Sequence, residues 1–134
     1  MPITKLEVDG YEALNDKLKS IDKTSGKVFV FFVGSKKLET GKSWCPDCVV
    51  ADPNVEHAVS EVSNDISDPM TFITCNVGPM DYWKNPENHF KKDPNLKLSV
   101  VPTLVLYQSP GSRLVKDEEF GNVQCIVKFL KEAQ

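Results

Sequence analysis

The chain has 134 residues, a length that suits a single domain covering residues 1–134. Apolar residues make up 40% and charged residues 26%, and the net charge of −3 excludes a broad positive surface for nucleic acid or an anionic membrane. The sequence starts without an apolar signal segment and has no run near the roughly 18 apolar residues of a membrane span. We therefore expect a cytoplasmic protein, and we take a monomer as the default because the sequence gives no signal for oligomeric state.

The first part of the chain predicts a strand, a helix and a second strand. Residues 3–8 alternate apolar and polar side chains, which is typical of a strand. Asp9 is expected to cap a helix over residues 11–20. Residues 28–33 form a continuous apolar run rich in Val and Phe, which predicts a strand buried on both faces.

A polar loop leads from this strand to a predicted long helix over residues 45–63. Val49 is expected among its core-facing residues, together with later valines. Pro53 lies inside the helix and should kink it. Residues 70–77 are again apolar and predict a third strand.

The last part of the chain completes a mixed sheet. Residues 78–99 are long and polar, with one short helix expected around their aromatic residues. Residues 103–107 predict a core strand, residues 113–116 should pair back on it as a hairpin, and residues 122–132 form a closing helix. This order predicts an α/β fold with a mixed central β-sheet flanked by helices on both faces.

The segment Trp44-Cys45-Pro46-Asp47-Cys48 places two cysteines at the start of the long helix. The first helical turn has unpaired N–H groups and the positive end of the helix dipole, and both stabilise a thiolate. The spacing allows the two sulfurs to form a disulfide. Cys45 is therefore the predicted nucleophile and Cys48 the resolving thiol of a disulfide exchange.

A metal site is the main alternative for these thiols. Structural zinc usually takes a second Cys or His pair at short spacing, whereas Cys75 and Cys125 are lone residues. We expect Cys75 to be buried in its strand and Cys125 to be structural or peripheral. His57 and His89 are interpreted as surface residues, and no metal is expected.

The chain resembles the thioredoxin superfamily in three further features. Trp44 precedes the first cysteine, Pro53 follows Cys45 by eight residues, and Val101-Pro102-Thr103 opens the third core strand. The resemblance implies a thioredoxin fold in which Pro102 is cis and its loop faces the dithiol. It also implies that this loop binds substrate, together with Trp44 and Pro46.

Residues 34–36, 42–48 and 82–86 narrow the resemblance to a small cytosolic branch of that superfamily. Membership of this branch implies a disulfide reductase with no bound cofactor, which receives electrons from NADPH through thioredoxin reductase. The implied substrates are cystine and other small disulfides, nitrosylated or persulfidated thiols, and selected proteins that include a dynein light chain. A partner-binding module whose affinity is switched by its thiol pair is the alternative function.

Two departures from ordinary thioredoxins leave questions open. The strand at residues 28–33 lacks the buried carboxylate that accepts the proton of the resolving cysteine in thioredoxins. Asp47 either takes over that task or only tunes the charge at the dithiol. The additional residues 34–43 and 78–99 either reshape the substrate groove, with Tyr82 and Trp83 as its wall, or cap the edge of the core.

Overall fold

The structure is a computed structural model that describes residues 3–134 of the chain. Five strands and six helices lie within this range. Strands β1 to β5 are Ile3–Asp9, Lys27–Val33, Met70–Asn76, Thr103–Leu106 and Arg113–Leu114. Helices α1 to α6 are Tyr11–Ser20, Pro46–Asp65, Met80–Lys84, His89–Lys92, Asp117–Phe120 and Val123–Glu132. None of these helices is both long enough and apolar enough to cross a bilayer.

The strands form one sheet in the order β1-β3-β2-β4-β5. Strands β1 and β2 both pair in parallel with β3, whereas β4 pairs antiparallel with β2 and with β5. The predicted mixed sheet is therefore confirmed. The chain leaves the end of β2 and enters the loop that carries the two cysteines, so the sheet fixes where that loop starts.

Strand β2 is the centre of the core, and its alternate side chains face opposite sides of the sheet. Phe29 and Phe31 pack in one apolar cluster with α2 and α6, while Val30 and Phe32 pack in a second with α1. All four are at most 1% exposed, which confirms the prediction of a strand buried on both faces. Burial of each side chain contributes roughly 1.5–3 kcal/mol.

Helix α2 begins with Pro46 and continues through Pro53 to Asp65. A proline costs little at the first helical position, where its missing N–H would have no partner within the helix. The expected core-facing position of Val49 is wrong, because its side chain is 37% exposed. Cys48 and Ala51 occupy the inward positions of the first turns instead, and both are at most 2% exposed.

Several predicted boundaries and one predicted cap differ from the structure. Asp9 does not cap α1: Gly10 is the N-cap, and the Asp9 carboxylate accepts a hydrogen bond from the Asn76 side-chain amide at 2.8 Å. The expected single helix in residues 78–99 is divided into α3 and α4, and β5 has only two residues. Helix α5 was not predicted, although its first three residues are acidic, as helix N-termini favour.

Candidate active site

Cys45 is the N-cap residue of α2, and a hairpin-like loop between β2 and α2 holds it in place. The Ser43 hydroxyl donates to the Gly34 carbonyl at 2.6 Å and accepts from the Cys45 N–H at 3.1 Å. At the other side of the loop, the Gly78 N–H donates to the Ser35 hydroxyl at 2.8 Å. These bonds fix the loop to the ends of β2 and β3, so the position of Cys45 is set by the sheet.

Trp44 is a packing element of this loop. It is half-buried against both apolar clusters, and its indole N–H donates to the Gly78 carbonyl at 2.9 Å. Gly34 leaves the room that the indole needs, since a Cβ at that position would lie 2.6 Å from Trp44 Cε2. The indole ring therefore has a structural role beside any contact it makes with substrate.

The Cys45 sulfur is surrounded by groups that stabilise its thiolate. The Cys48 thiol lowers the pKa of Cys45 through a hydrogen bond, and the Cys48 backbone N–H adds a second bond at 3.2 Å. Burial and the negative charge of Asp47 act in the opposite direction. The balance lowers the pKa of Cys45 from 9.0 to about 7, so a large fraction of this thiol is ionised near neutral pH.

Cys48 has the opposite character. Its side chain is only 2% exposed, and the hydrogen bond that it shares with Cys45 raises its pKa strongly, with burial as the second cause. The Gly34 backbone N–H opposes this with a smaller effect. Cys48 thus retains its proton while Cys45 is ionised, which supports the predicted assignment of nucleophile and resolving thiol.

The loop before β4 lies against the dithiol. The Val101–Pro102 peptide bond is cis, as the resemblance implies, and the Val101 carbonyl accepts a bond from the Cys45 thiol at 3.6 Å. Pro102 is buried and Val101 half-buried. Thr103 is 1% exposed, and its hydroxyl donates to the Val100 carbonyl at 2.8 Å. The structure therefore brings Val101 to Cys45, with Pro102 and Thr103 anchoring that loop.

The remaining predicted residues lie at the rim of the dithiol or outside it. Pro46 and Asp47 are both exposed at the start of α2, and the Asp47 charge raises the pKa of both thiols. Trp83 is 7% exposed and packs in the core, which favours the interpretation that its segment caps the core edge. Tyr82 is half-buried beside it.

A polar cavity of about 320 Å³ reaches Cys48 and lies between α2, the loop after β2 and the strands β1 and β3. Sequence reasoning missed this feature. Charged residues in its wall are Glu7, Lys36, Lys42, Asp52 and Glu56. Among the carboxylates in the wall, Asp52 has the clearest local signal, because it follows Cys48 by four residues and therefore lies on the same helix face.

The other thiols and the histidines are separate from the site. Cys75 is fully buried, and burial raises its pKa to about 12, whereas Cys125 is exposed on α6. His57 and His89 are both exposed, and the His89 ring stacks on Tyr11 with centroids 5.4 Å apart. Within residues 3–134, no group of three or more His, Cys, Asp or Glu side chains is placed to hold a metal ion.

Residues 7–132 match a family model described as "Thioredoxin domain-containing protein 17-like, thioredoxin domain". The chain is 42% identical to thioredoxin domain-containing protein 17 of Homo sapiens over 115 residues, which cover 85% of each chain. It is also 42% identical to the protein of that name from Danio rerio, over 87% of this chain and 86% of the relative. A thioredoxin-like protein Clot from Oryza sativa subsp. japonica is 29% identical, over 88% of this chain and 89% of the relative.

Proposed function

Because the chain belongs to the thioredoxin domain-containing protein 17-like family, whose thioredoxin fold and thiol–disulfide redox role it shares, we propose that it is a disulfide reductase. The observation that carries the proposal is the contrast between its two thiols. Cys45 has a pKa lowered to about 7 beside the loop of the cis proline, whereas the neighbouring Cys48 is buried and protonated. A disulfide reductase needs one ready nucleophile and one thiol held in reserve.

In the first step, the Cys45 thiolate attacks one sulfur of a substrate disulfide. A bond forms between Cys45 and that sulfur, the substrate S–S bond breaks, and the second substrate sulfur leaves as a thiolate that takes a proton from water. Val101 lies beside the Cys45 sulfur, so its backbone is the surface on which we expect a substrate chain to align. Trp44 and Pro46 border the same end of α2.

In the second step, Cys48 loses its proton and attacks the Cys45 sulfur of the mixed disulfide. A Cys45–Cys48 disulfide forms, and the remaining substrate sulfur leaves as a thiolate. The protein dithiol is thereby oxidised by two electrons and the substrate disulfide is reduced by two. Asp47 is exposed and raises the pKa of both thiols, so we assign it the tuning of charge at this site.

The oxidised protein needs a source of electrons, and we propose thioredoxin reductase with NADPH. We further propose that the protein acts as a monomer in the cytoplasm, where the surroundings keep such thiols reduced. The proposed substrates are cystine-like small disulfides and selected proteins. A dynein light chain is included among them on the resemblance alone.

The proposal is tested by following NADPH consumption by thioredoxin reductase with cystine as the acceptor. We expect turnover with the parent protein, none with Cys45→Ser, and normal turnover with Cys125→Ser, which removes an exposed thiol elsewhere. Absence of turnover in the parent, with Cys45 shown to be reduced and reactive, would mean that the recycling enzyme or the reductase chemistry is misassigned. A partner that the Cys45→Ser variant still captures would then favour the redox-switched binding module.

A further inference from the structure

The proton of Cys48 has no carboxylate acceptor in the strand behind it. Strand β2, with the sequence KVFVFFV, contains no acidic residue, and Cys48 is only 2% exposed to solvent. The thiolate is the nucleophile in disulfide exchange, so the second step needs this proton to leave. A path from the Cys48 sulfur to solvent is therefore a requirement of the reaction.

The cavity lined by Cys48 provides such a path. Its volume of about 320 Å³ is enough for several water molecules, since each occupies about 30 Å³ in the liquid. Its wall is mostly polar and includes both Cys48 and exposed residues such as Lys36 and Lys42, so it connects a buried thiol with solvent. Water in a cavity of this kind transfers protons between groups that are not in contact.

Three carboxylates line this cavity, and they differ in their hydrogen-bond and ion-pair partners. Glu7 accepts a hydrogen bond from the Asn76 amide at 2.8 Å, and Glu56 forms an ion pair with Lys5. Within residues 3–134, the Asp52 side chain has neither a hydrogen-bond partner nor an ion-pair partner. Its carboxylate is thus the one most free to accept hydrogen bonds from water.

The position of Asp52 on α2 also favours it. Asp52 and Cys48 are four residues apart on one helix, so their Cβ atoms lie about 5–6 Å apart on the same face. Helical side chains lean towards the N-terminus, which inclines Asp52 towards Cys48. Glu56 is a further turn away on α2, and Glu7 belongs to a different element, β1.

We propose that Asp52 is the proton acceptor for Cys48, through water in this cavity; the inference rests on the proposed reductase function. As Cys48 attacks Cys45, its proton passes to a cavity water and a proton of that water passes to the Asp52 carboxylate. The substrate sulfur leaves as a thiolate and is protonated from solvent. Asp52 is exposed, so it then returns its proton to bulk water and is ready for the next cycle.

Other charged groups face the same space and must be separated from Asp52 in any test. They are Glu7 on β1, Lys36 and Lys42 on the loop, and Glu56 on α2; Asp47 at the start of α2 must be separated from Asp52 as well. Asp47 acts on Cys48 by charge and does not line the cavity. The matched control is Glu56→Gln, because it removes a carboxylate of the same cavity and the same helix.

The experiment is a single-turnover reaction with dithiobis(nitrobenzoate) in a Cys125→Ser background, which removes the exposed thiol. Attack by Cys45 releases the first thionitrobenzoate, and attack by Cys48 releases the second, so the two steps are observed separately. We expect Asp52→Asn to slow the second release by about tenfold or more at neutral pH, as is usual for loss of a general base. The first release should be unchanged.

A proton-transfer role predicts two further results that a structural role does not. The defect of Asp52→Asn should diminish as the pH rises, and excess imidazole should restore the second release. Glu56→Gln should retain that step, and Asp47→Asn should not slow it, because loss of the Asp47 charge lowers the pKa of Cys48. An unchanged second release in Asp52→Asn, an equal defect in Glu56→Gln, or a defect confined to Asp47→Asn would overturn the proposal. Failure of the parent protein to release any thionitrobenzoate would instead reject the reductase function itself.

Discussion

Replacement of Cys48 by alanine tests the physical origin of the Cys45 reactivity. The fall in the pKa of Cys45 from 9.0 to about 7 corresponds to about 3 kcal/mol in favour of the thiolate. The hydrogen bond from the Cys48 side chain is the largest cause of this fall. Cys48→Ala removes that bond but retains the backbone N–H of residue 48, so we expect the pKa of Cys45 to rise by about one pH unit or more.

The midpoint of the pH profile of Cys45 alkylation reports this change better than the alkylation rate at a single pH. A full return to the ordinary value would reduce the thiolate fraction at neutral pH about fiftyfold, but the more basic thiolate is intrinsically more nucleophilic by nearly tenfold. The net loss of rate would therefore be less than about tenfold. Alkylation of Cys45 by iodoacetamide should be followed across the pH range in a Cys125→Ser background.

Asp47→Asn is the control of opposite sign for this experiment. The negative charge of Asp47 raises the pKa of Cys45, so replacing the carboxylate by an amide should move the midpoint of Cys45 alkylation to lower pH. A midpoint for Cys48→Ala that equals that of the parent would refute the reasoning. The backbone N–H groups at the start of α2 would then account for the acidity of Cys45 without the second thiol.

Three further predictions concern the loop and the core strands around the site. Gly34→Ala brings a Cβ to 2.6 Å from Trp44 Cε2, so chemical denaturation should show a free energy of unfolding lower by about 1–3 kcal/mol. Gly111→Ala is the control, because no atom lies within 4 Å of the added Cβ, and it should leave that free energy nearly unchanged. Phe31→Ala empties a fully enclosed position and should cost about 3–5 kcal/mol in the same assay. Cys75, with a pKa raised to about 12 by burial, should resist iodoacetamide in the folded protein and react once it is unfolded, as mass spectrometry can verify.

The parts of the molecule that sequence reasoning predicted well are those governed by local pattern. The apolar run of β2 predicts burial on both faces, which two layers of helices provide. The start of α2 at Pro46 follows from the geometry of proline at the first helical position. The asymmetry between Cys45 and Cys48 follows in direction from the same helix start. Its size depends on the depth of burial of Cys48, which no local pattern contains.

The parts that sequence reasoning missed depend on contacts between distant segments. Asp9 is a good cap in isolation, but the amide of Asn76, far along the chain, engages its carboxylate. The inward-facing direction of α2 is set by how the helix packs on the sheet, and Val49 was therefore assigned to the wrong side. The cavity beside Cys48 joins residues from β1, β3, α2 and a loop, so only the assembled fold reveals it.

The outer position of β1 has a consequence for the folding of this chain during synthesis. Strand β1 is made before the other four strands, yet within residues 3–134 it pairs only with β3, and the Asp9 side chain is bonded to Asn76 at a separation of 67 residues. Strand β1 therefore stays unpaired during synthesis until β2, α2 and β3 have been made, and such long-range pairing is slow. During that interval β1 is unpaired, and without β1 the edge of β3 would stay uncovered and open to pairing with another chain. Shortening β1 should therefore reduce the yield of folded protein through aggregation during synthesis.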